Sequence, residues 1–322
     1  MPLWILPGMC WRRWSCGRRN WWGPRMFEYW VYRAASMLSR MLPMRMAYWV
    51  GLRVADLFYR HNHAGRQAVI ANLRQIYQAQ KIQPADEALE GLARKTFQYF
   101  GKYLVDFFRY SMLSVEDVRR MVSIAHVEYL DECVRLGRGV ILLTAHFGNW
   151  ELGGAVLSAL GYRFKALVLT QRVEKLNRLF QSQRESRGMQ LIPVGHSALG
   201  VMRSIKRGEV VALLADRDFT TRDDRIDFFG KPARLPKGPA WLSKHTGAPI
   251  VPGFLIRQVD DTFLLRLHPP IFPENEPTEE ALRQRISSVL EKEIGERPYQ
   301  WFIFDDFWAS DPHNQGHQST DL

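Results

Sequence analysis

The sequence predicts an α/β fold, a three-layer domain with a mostly parallel sheet, preceded by helices whose composition suits a membrane surface. From residue 139 onward, apolar runs alternate with segments of helical periodicity, which is typical of parallel strands joined by helices. From 27 to about 136, apolar residues recur at helical spacing instead. The first 66 residues also concentrate arginine and tryptophan. These three observations predict a helical region at 26–136, an α/β domain at 137–308 and a disordered polar tail at 309–322.

The first 66 residues carry most of the net charge. They hold eleven arginines, no lysine and two acidic residues, which is +9 of a total of +11. They also hold seven of the eleven tryptophans. Arginine with tryptophan is typical of a membrane interface, where indole lies at headgroup depth and arginine meets anionic lipid. A basic arm that binds nucleic acid is the alternative, but no nucleic-acid motif follows it.

The stretch 27–59 predicts two amphipathic helices that lie in the plane of a membrane and are separated at Pro43. It does not reach the roughly 18 uncharged apolar residues of a spanning helix, because four arginines interrupt it: Arg33, Arg40, Arg45 and Arg53. Residues 1–25 lack the apolar core and cleavage site of a signal peptide. They form an Arg- and Trp-rich extension, and Met26 is an alternative start to Met1.

The remaining elements follow from the same patterns of periodicity. Helices are predicted at 64–78, 84–110, 150–160, 173–187, 197–207, 237–246 and 278–293. Strands are predicted at 139–145, 164–169, 210–214, 225–229, 249–254 and 262–268. Cys10, Cys16 and Cys133 form neither a disulfide framework nor a metal motif, so they suit a reducing compartment.

The strongest chemical signal follows the first predicted strand of the α/β domain. The apolar run 139–145 delivers His146 to a strand end, and Glu151 lies in the first turn of the next helix. A neutral imidazole can accept a proton from a hydroxyl near pH 7, and a carboxylate on its far nitrogen stabilises the imidazolium. Asn149 can cap the helix, whose first N–H groups suit a phosphate or an oxyanion. The alternative for His146 is a strand-end residue bonded to backbone.

A charged triplet marks a second strand end. Asp216, Arg217 and Asp218 follow the apolar strand 210–214, at the edge where open α/β sheets bind ligands. Arg217 is expected to bind a phosphate, with Asp216 or Asp218 positioning it or a sugar hydroxyl. A solvated exit from the strand is the alternative.

Further basic residues are candidates for binding an anionic substrate. Arg172 follows the strand 164–169, and Arg184 with Arg187 shares one face of the next helix, where each could clamp a phosphate. A soluble helix face is the alternative for that pair. Lys237 opens another helix, and Arg234 lies just before it.

Two blocks of sequence, taken in order, resemble one family. The first is Ala145-His146-Phe147-Gly148-Asn149-Trp150-Glu151. The second runs through Leu214-Ala215-Asp216-Arg217-Asp218, Ile226-Asp227-Phe228-Phe229-Gly230-Lys231-Pro232-Ala233-Arg234, Pro236-Lys237-Gly238-Pro239-Ala240 and Thr246-Gly247-Ala248-Pro249-Ile250-Val251-Pro252. The first resembles the His-x-x-x-x-acid motif of the bacterial lipid A acyltransferases of the lauroyl and myristoyl type. It is equally similar to that of the phosphatidylinositol mannoside acyltransferases, and the likeness covers roughly 29 to 308.

The resemblance implies an acyltransferase domain and a reaction. A fatty acyl chain would move from a thioester, on acyl carrier protein or coenzyme A, to a hydroxyl of a glycolipid or lipid A precursor. His146 would be the general base, Glu151 would orient it, and backbone N–H groups near 148–150 or Arg172 would stabilise the oxyanion. No cofactor is implied, and the expected location is the cytoplasmic face of the cell inner membrane.

Two departures leave the acceptor open. The triplet 216–218 is more similar to the mannoside branch, because lipid A enzymes often carry His at its middle position. The segment Gln300-Trp301-Phe302-Ile303-Phe304 lacks the Trp-x-His-Arg-Arg-like ending common in the lipid A branch. Two other functions are weighed against acyl transfer. One is a non-catalytic lipid-binding protein, and the other is a metal-dependent hydrolase that uses His146, Glu151 and Asp216.

Overall fold

The computed structural model describes residues 24–168, 174–186, 188–193, 197–218 and 224–309. Most of the predicted extension, the predicted tail from residue 310 and the side chains of Arg172 and Arg187 lie outside the described residues.

Four helices come first in the described chain: α1 (Pro24–Met41), α2 (Met44–His61), α3 (His63–Ala79) and α4 (Asp86–Arg109). The predicted separation at Pro43 is confirmed, since α1 ends at Met41 and Pro43 directly precedes α2. Helices α2, α3 and α4 pack through a small apolar core that includes Ala55, Leu73 and Phe97. Of the helices the structure describes, none combines the length and the hydrophobicity that crossing a bilayer requires.

Strands and helices then alternate, as predicted. They are α5 (Val115–Met121), β1 (Val122–Ala125), α6 (Glu128–Arg135), β2 (Val140–Thr144), α7 (Trp150–Ala159), β3 (Phe164–Val168), α8 (Glu174–Glu185), β4 (Gln190–Pro193), α9 (Ser197–Lys206), β5 (Val210–Leu214), β6 (Ile226–Phe228), β7 (Lys231–Ala233), α10 (Gly238–Thr246), β8 (Ile250–Arg257), β9 (Phe263–Leu267) and α11 (Glu279–Glu296).

Seven strands form the main sheet in the order β1-β9-β8-β2-β5-β3-β4. The five from β8 to β4 are parallel, whereas β9 runs antiparallel to β8, and β1 pairs parallel with β9. The predicted α/β fold with a mostly parallel sheet is therefore confirmed. Strands β6 and β7 form a separate antiparallel pair.

Sequence analysis does not predict β1, β4 and β7, which are only three or four residues long. Strand β1 lies within the range predicted to be helical, yet it joins the sheet, so the sheet also draws on residues before 137. Strand β4 lies at the opposite edge, and β7 pairs only with β6. The predicted strand 225–229 exists as β6, but it belongs to the two-stranded pair.

Strand β2 shows why the domain has three layers. Ile141 and Leu143 face a core shared with α9, α10 and α11, whereas Val140 and Leu142 face a core shared with α6, α7 and α8. Successive side chains of a strand point to opposite faces, so an uninterrupted apolar run must be covered on both. This explains why β2 has no polar face and why its charged residues follow its end.

The register of β2 against β5 positions the candidate site. Thr144 pairs with Leu214, and the Ala215 N–H donates to the Thr144 carbonyl at 2.9 Å. Because the two strands are parallel and adjacent, the residues two places beyond this pair, His146 and Asp216, leave the same edge of the sheet side by side.

Candidate active site

His146 and Asp216 form a hydrogen-bonded pair at the carboxyl end of the sheet. Imidazole Nδ1 lies 2.9 Å from Asp216 Oδ1, and the His146 backbone N–H donates to Oδ2 at 2.9 Å. The Asp216 side chain is fully buried, whereas that of His146 is 15% exposed. The carboxylate is thus held inside the protein, and the ring of His146 reaches the surface of the site.

Trp301 completes the surroundings of Asp216. Its indole Nε1 donates to Asp216 Oδ2 at 2.9 Å, and the N–H of Phe302 donates to the carbonyl of His146 at 2.8 Å. The segment 300–302 therefore forms hydrogen bonds with both Asp216 and His146. Sequence analysis missed this role, because Trp301 lies 85 residues after Asp216 and no local spacing connects them.

The surroundings favour the charged form of Asp216. Burial alone would raise the pKa of this carboxyl, but the nearby His146 and the hydrogen bonds from His146 and Trp301 outweigh it and lower the pKa. An ionised Asp216 can only accept hydrogen bonds, so the neutral imidazole carries its proton on Nδ1. Nε2 is then the basic nitrogen, as general-base chemistry requires.

The structure corrects the predicted roles of Glu151 and Asp216. Glu151 does not hold the far nitrogen of His146, because its carboxylate pairs with Arg184, whose Nε donates to Oε2 at 2.9 Å. Asp216, predicted to position Arg217 or a sugar hydroxyl, takes that place. Glu151 lies on α7, whereas Asp216 follows the strand beside β2, and only the strand register brings a carboxylate against Nδ1.

Arg184 is also corrected. It lies on α8 but is buried against Glu151, so it is neither an open phosphate clamp nor part of a soluble helix face. Burial would raise the pKa of the Glu151 carboxyl, but Arg184 outweighs it and lowers that pKa. The pair ties α7 to α8 on the side of the sheet where both helices pack.

The turn between β2 and α7 has little conformational freedom. The predicted cap is confirmed, since Asn149 Oδ1 accepts from the Leu152 N–H at 3.2 Å. Gly148 has a φ of +60°, and a Cβ there would lie 2.0 Å from the Leu255 carbonyl oxygen, so only glycine fits. The N–H groups of Gly148 and Asn149 donate to the Gln300 and Leu255 carbonyls at 2.9 and 2.8 Å. The expectation that these two groups stabilise an oxyanion is therefore wrong.

The other predicted residues surround the sheet edge at different positions. Arg217 donates to Asp305 Oδ2 at 2.5 Å, and Lys237, which directly precedes α10, forms an ion pair with Asp224. Asp218 is half-buried beside Arg217, and Arg234 follows β7. Their roles in binding substrate stay predictions, as does that of Arg172.

Aromatic rings connect His146 to an apolar groove. Trp150 packs edge-on against His146 at 5.3 Å between ring centroids and stacks on Tyr103 at 4.4 Å. Phe100 stacks on Tyr103 and also lines a groove of about 230 Å³ between α1, α2 and α4. Phe304 lines the same groove. The rings of Tyr103 and Trp150 therefore lie between Phe100, at the groove, and His146.

Within the described residues, no group of three or more His, Cys, Asp or Glu side chains could hold a metal ion. Of the three ligands that the metal-dependent hydrolase would need, Glu151 is engaged by Arg184.

The α/β sheet thus presents a carboxylate-held histidine near an apolar groove. The bacterial lipid A biosynthesis acyltransferase family model matches residues 18–310, and the chain belongs to that family. The predicted resemblance is therefore confirmed, and the protein is an acyltransferase of lipid A or glycolipid type.

Two relatives show how broad the likeness is. The chain is 25% identical to the phosphatidylinositol mannoside acyltransferase of Mycobacterium tuberculosis over 291 residues, 88% of this chain and 89% of the relative. It is 22% identical to the lipid A biosynthesis palmitoleoyltransferase of Escherichia coli over 284 residues, 86% and 90% of the two chains. The solved 1-acyl-sn-glycerophosphate acyltransferase of Thermotoga maritima is similar at 12% identity and a TM-score of 0.38, covering 80% of this chain and 98% of that one.

Proposed function

We propose that this protein transfers a fatty acyl chain from a thioester to a hydroxyl of a glycolipid or lipid A precursor, with His146 as general base. The observation that carries the proposal is the bond between His146 Nδ1 and the buried Asp216 carboxylate at 2.9 Å. It leaves Nε2 as the basic nitrogen at the surface of the site. Asp216 takes the orienting part that sequence analysis assigned to Glu151.

The reaction follows from that arrangement. Nε2 of His146 removes the proton of the acceptor hydroxyl while the hydroxyl oxygen attacks the thioester carbonyl. The resulting imidazolium is stabilised by the ionised Asp216. The tetrahedral intermediate then collapses, the carbon–sulfur bond breaks, and the thiolate takes the proton from His146. An ester and a free thiol are the products, and no cofactor takes part.

The groove between α1, α2 and α4 supports an acyl substrate. Its walls are mostly apolar side chains and two facing glycines, Gly51 and Gly101, with uncharged polar side chains such as Ser39 and Asn62. A groove without charged walls suits a hydrocarbon chain, and burial of each methylene contributes roughly 0.8 kcal/mol. The aromatic contacts from Phe100 to Trp150 would bring the carbonyl end of such a chain toward His146.

The outer surface of α1 and α2 supports attachment to a membrane. Nine of the fifteen large apolar side chains that are exposed in the described chain lie on these two helices: Trp30, Val31, Met37, Leu38, Met41, Met46, Trp49, Val54 and Leu57. Three of them, Val31, Leu38 and Val54, also line the groove. Arginines accompany them, and the guanidinium of Arg53 lies 5.5 Å from the Trp49 ring centroid. Apolar side chains among arginines suit an anionic bilayer surface. We place the enzyme on the cytoplasmic face of the cell inner membrane, where acyl carrier protein or acyl-coenzyme A supplies the donor.

Lipid mass spectrometry on cells with and without the gene tests the function. We expect the deletion to lack one acyl chain on a glycolipid, the wild-type gene to restore it, and His146→Ala to fail. General-base catalysis contributes roughly a hundred- to ten-thousand-fold, so the variant should fold and bind lipid while losing most turnover. An unchanged lipid profile, or full rescue by His146→Ala, would instead favour a lipid-binding protein without catalysis.

A further inference from the structure

A second buried polar cluster lies behind the turn that carries His146, and the reaction described above does not use it. At its centre is Asp106 of α4, which is 3% exposed. Its Oδ2 accepts from Asn149 Nδ2 at 2.9 Å and from Arg257, and its Oδ1 accepts from the Tyr48 hydroxyl at 2.6 Å. One carboxylate therefore joins helix α2, strand β8 and the residue that caps α7.

The cluster is connected to the catalytic pair on both sides of the turn. Asn149 lies three residues after His146 and uses one side chain for two tasks, capping α7 and donating to Asp106. On the other side, the Gln300 side-chain amide pairs with both backbone groups of Arg257, at 3.0 and 2.9 Å. The next residue, Trp301, donates to Asp216. A shift of the cluster would therefore reach His146 through Asn149 and Asp216 through Gln300.

The charges inside the cluster are balanced, which allows it to remain buried. Arg257 pairs with Asp106 and Asp261, and Lys102 donates to Asp261 at 2.7 Å. Burial and the nearby Asp106 raise the pKa of the Tyr48 hydroxyl, so it remains a donor. Because a buried network costs free energy when one partner is lost, each of its members holds the others in place.

Tyr48 connects this cluster to α2, one of the two helices proposed to contact the membrane. Its hydroxyl points inward to Asp106, whereas Trp49, the next residue, and Met46, two residues earlier, are exposed on the same helix. The position of α2 is thus linked by two hydrogen bonds to the cap of α7. If α2 moves by even an ångström when it meets a bilayer, Asn149 is the first residue of the catalytic turn that the movement reaches.

We propose that Tyr48 and Asp106 are positioning residues, which transmit the seating of α2 on an anionic membrane to the turn that carries His146. This rests on the proposed function. It adds that turnover depends on the membrane through the hydrogen bonds from Tyr48 to Asp106 and from Asn149 to Asp106. We expect α2 to be seated more firmly on a bilayer than in solution, and a misplacement of the turn by about 1 Å can cost roughly a hundredfold in rate.

The test compares two substitutions that remove one hydroxyl from the same helix. Tyr48→Phe deletes the donor to Asp106 and keeps the ring. Tyr59→Phe deletes a hydroxyl that donates to the Glu90 carbonyl of α4 at 3.2 Å, outside the cluster. Thiol release from an acyl thioester is measured with a detergent-dispersed lipid extract of the deletion cells as the source of acceptor, with and without vesicles of phosphatidylethanolamine and phosphatidylglycerol. Vesicle binding and the melting temperature are measured on the same samples.

We expect vesicles to raise the kcat of the wild-type and Tyr59→Phe enzymes by about tenfold or more. Tyr48→Phe should bind vesicles equally, keep its KM, melt a few degrees lower because the buried Asp106 loses a donor, and show no rise in kcat. A Tyr48→Phe enzyme that keeps the wild-type response would overturn the proposal, as would a wild-type enzyme indifferent to vesicles. So would a response lost equally in Tyr59→Phe, which would indicate general loosening of α2 against α4. Absence of thiol release from the wild type under every condition would instead count against the proposed function.

Discussion

Asp216 lies close to His146 in the fold, and Glu151 lies close to it in the sequence. Both carboxylates are buried, but they have different partners. Asp216 accepts from an imidazole at the mouth of the site, and Glu151 accepts from Arg184 inside the protein. Both carboxyl pKa values are lowered, because in each case the partner outweighs the cost of burial. An imidazole changes its charge near pH 7 whereas a guanidinium does not. The first pair can therefore exchange protons with a substrate, and the second can only hold helices together.

We expect Asp216→Asn to separate the two pairs most strongly. The amide would offer a donor where Nδ1–H needs an acceptor, so the imidazole would turn to the tautomer whose Nε2 is protonated. We expect kcat for acyl transfer to fall by about a thousandfold, with little change in KM, because the base is lost while the groove is intact. Steady-state kinetics with a radiolabelled acyl thioester measures this. Asp260→Asn, at an exposed aspartate, is the control and should keep wild-type kcat.

The opposite result would reassign the site. If Asp216→Asn transferred acyl chains at the wild-type rate, Asp216 would only be anchoring the backbone N–H of His146, and another group would have to orient the ring.

The second substitution, Glu151→Gln, should affect stability more than chemistry. It removes the Glu151 charge from the buried Arg184 guanidinium, and breaking a buried ion pair typically costs about 3–5 kcal/mol of unfolding free energy. We expect urea denaturation to show that loss, while the kcat of the folded fraction stays within a few-fold of wild type.

A double variant sharpens the result. Glu151→Leu with Arg184→Met replaces the ion pair by apolar side chains, and we expect it to recover most of the lost stability. If the double variant were stable but as inactive as Asp216→Asn, Glu151 would have a part in the chemistry that the structure does not show.

The smallest effect is in the pH dependence of the Glu151 pair. Its folded-state pKa lies below the ordinary value of 4.5, so its contribution to stability is present above that pH and is lost as pH falls through the folded-state value. We expect the difference in unfolding free energy between wild type and Glu151→Gln to be constant near neutral pH and to shrink below about pH 4.5. Denaturation at a series of pH values measures it. A difference that grew in acid would mean that Glu151 is protonated in the folded protein.

Much of the fold could be predicted because its signals are local. The apolar run of β2, the break at Pro43 and the cap at Asn149 each follow from a few adjacent residues, and each is confirmed. The misses are elements without such a signal. Strand β1 is four residues long, and β7 holds a proline and pairs only with its neighbour. The role of Trp301 had no local signal at all.

The sequence by itself determined which residues could take part in catalysis: His146 at the end of a buried strand, Asp216 after the end of another, and Glu151 in the first turn of a helix. It also determined that the first 66 residues are rich in arginine and tryptophan. It also determined the family, through motifs that keep their order along nearly the whole chain. Only the tertiary structure decided the partners. The parallel pairing of Thr144 with Leu214 carries Asp216 to His146, and the packing of α8 against α7 carries Arg184 to Glu151. The physical reason is that hydrogen bonds and ion pairs act over about 3 Å in space, a distance that the order of strands sets and sequence separation does not.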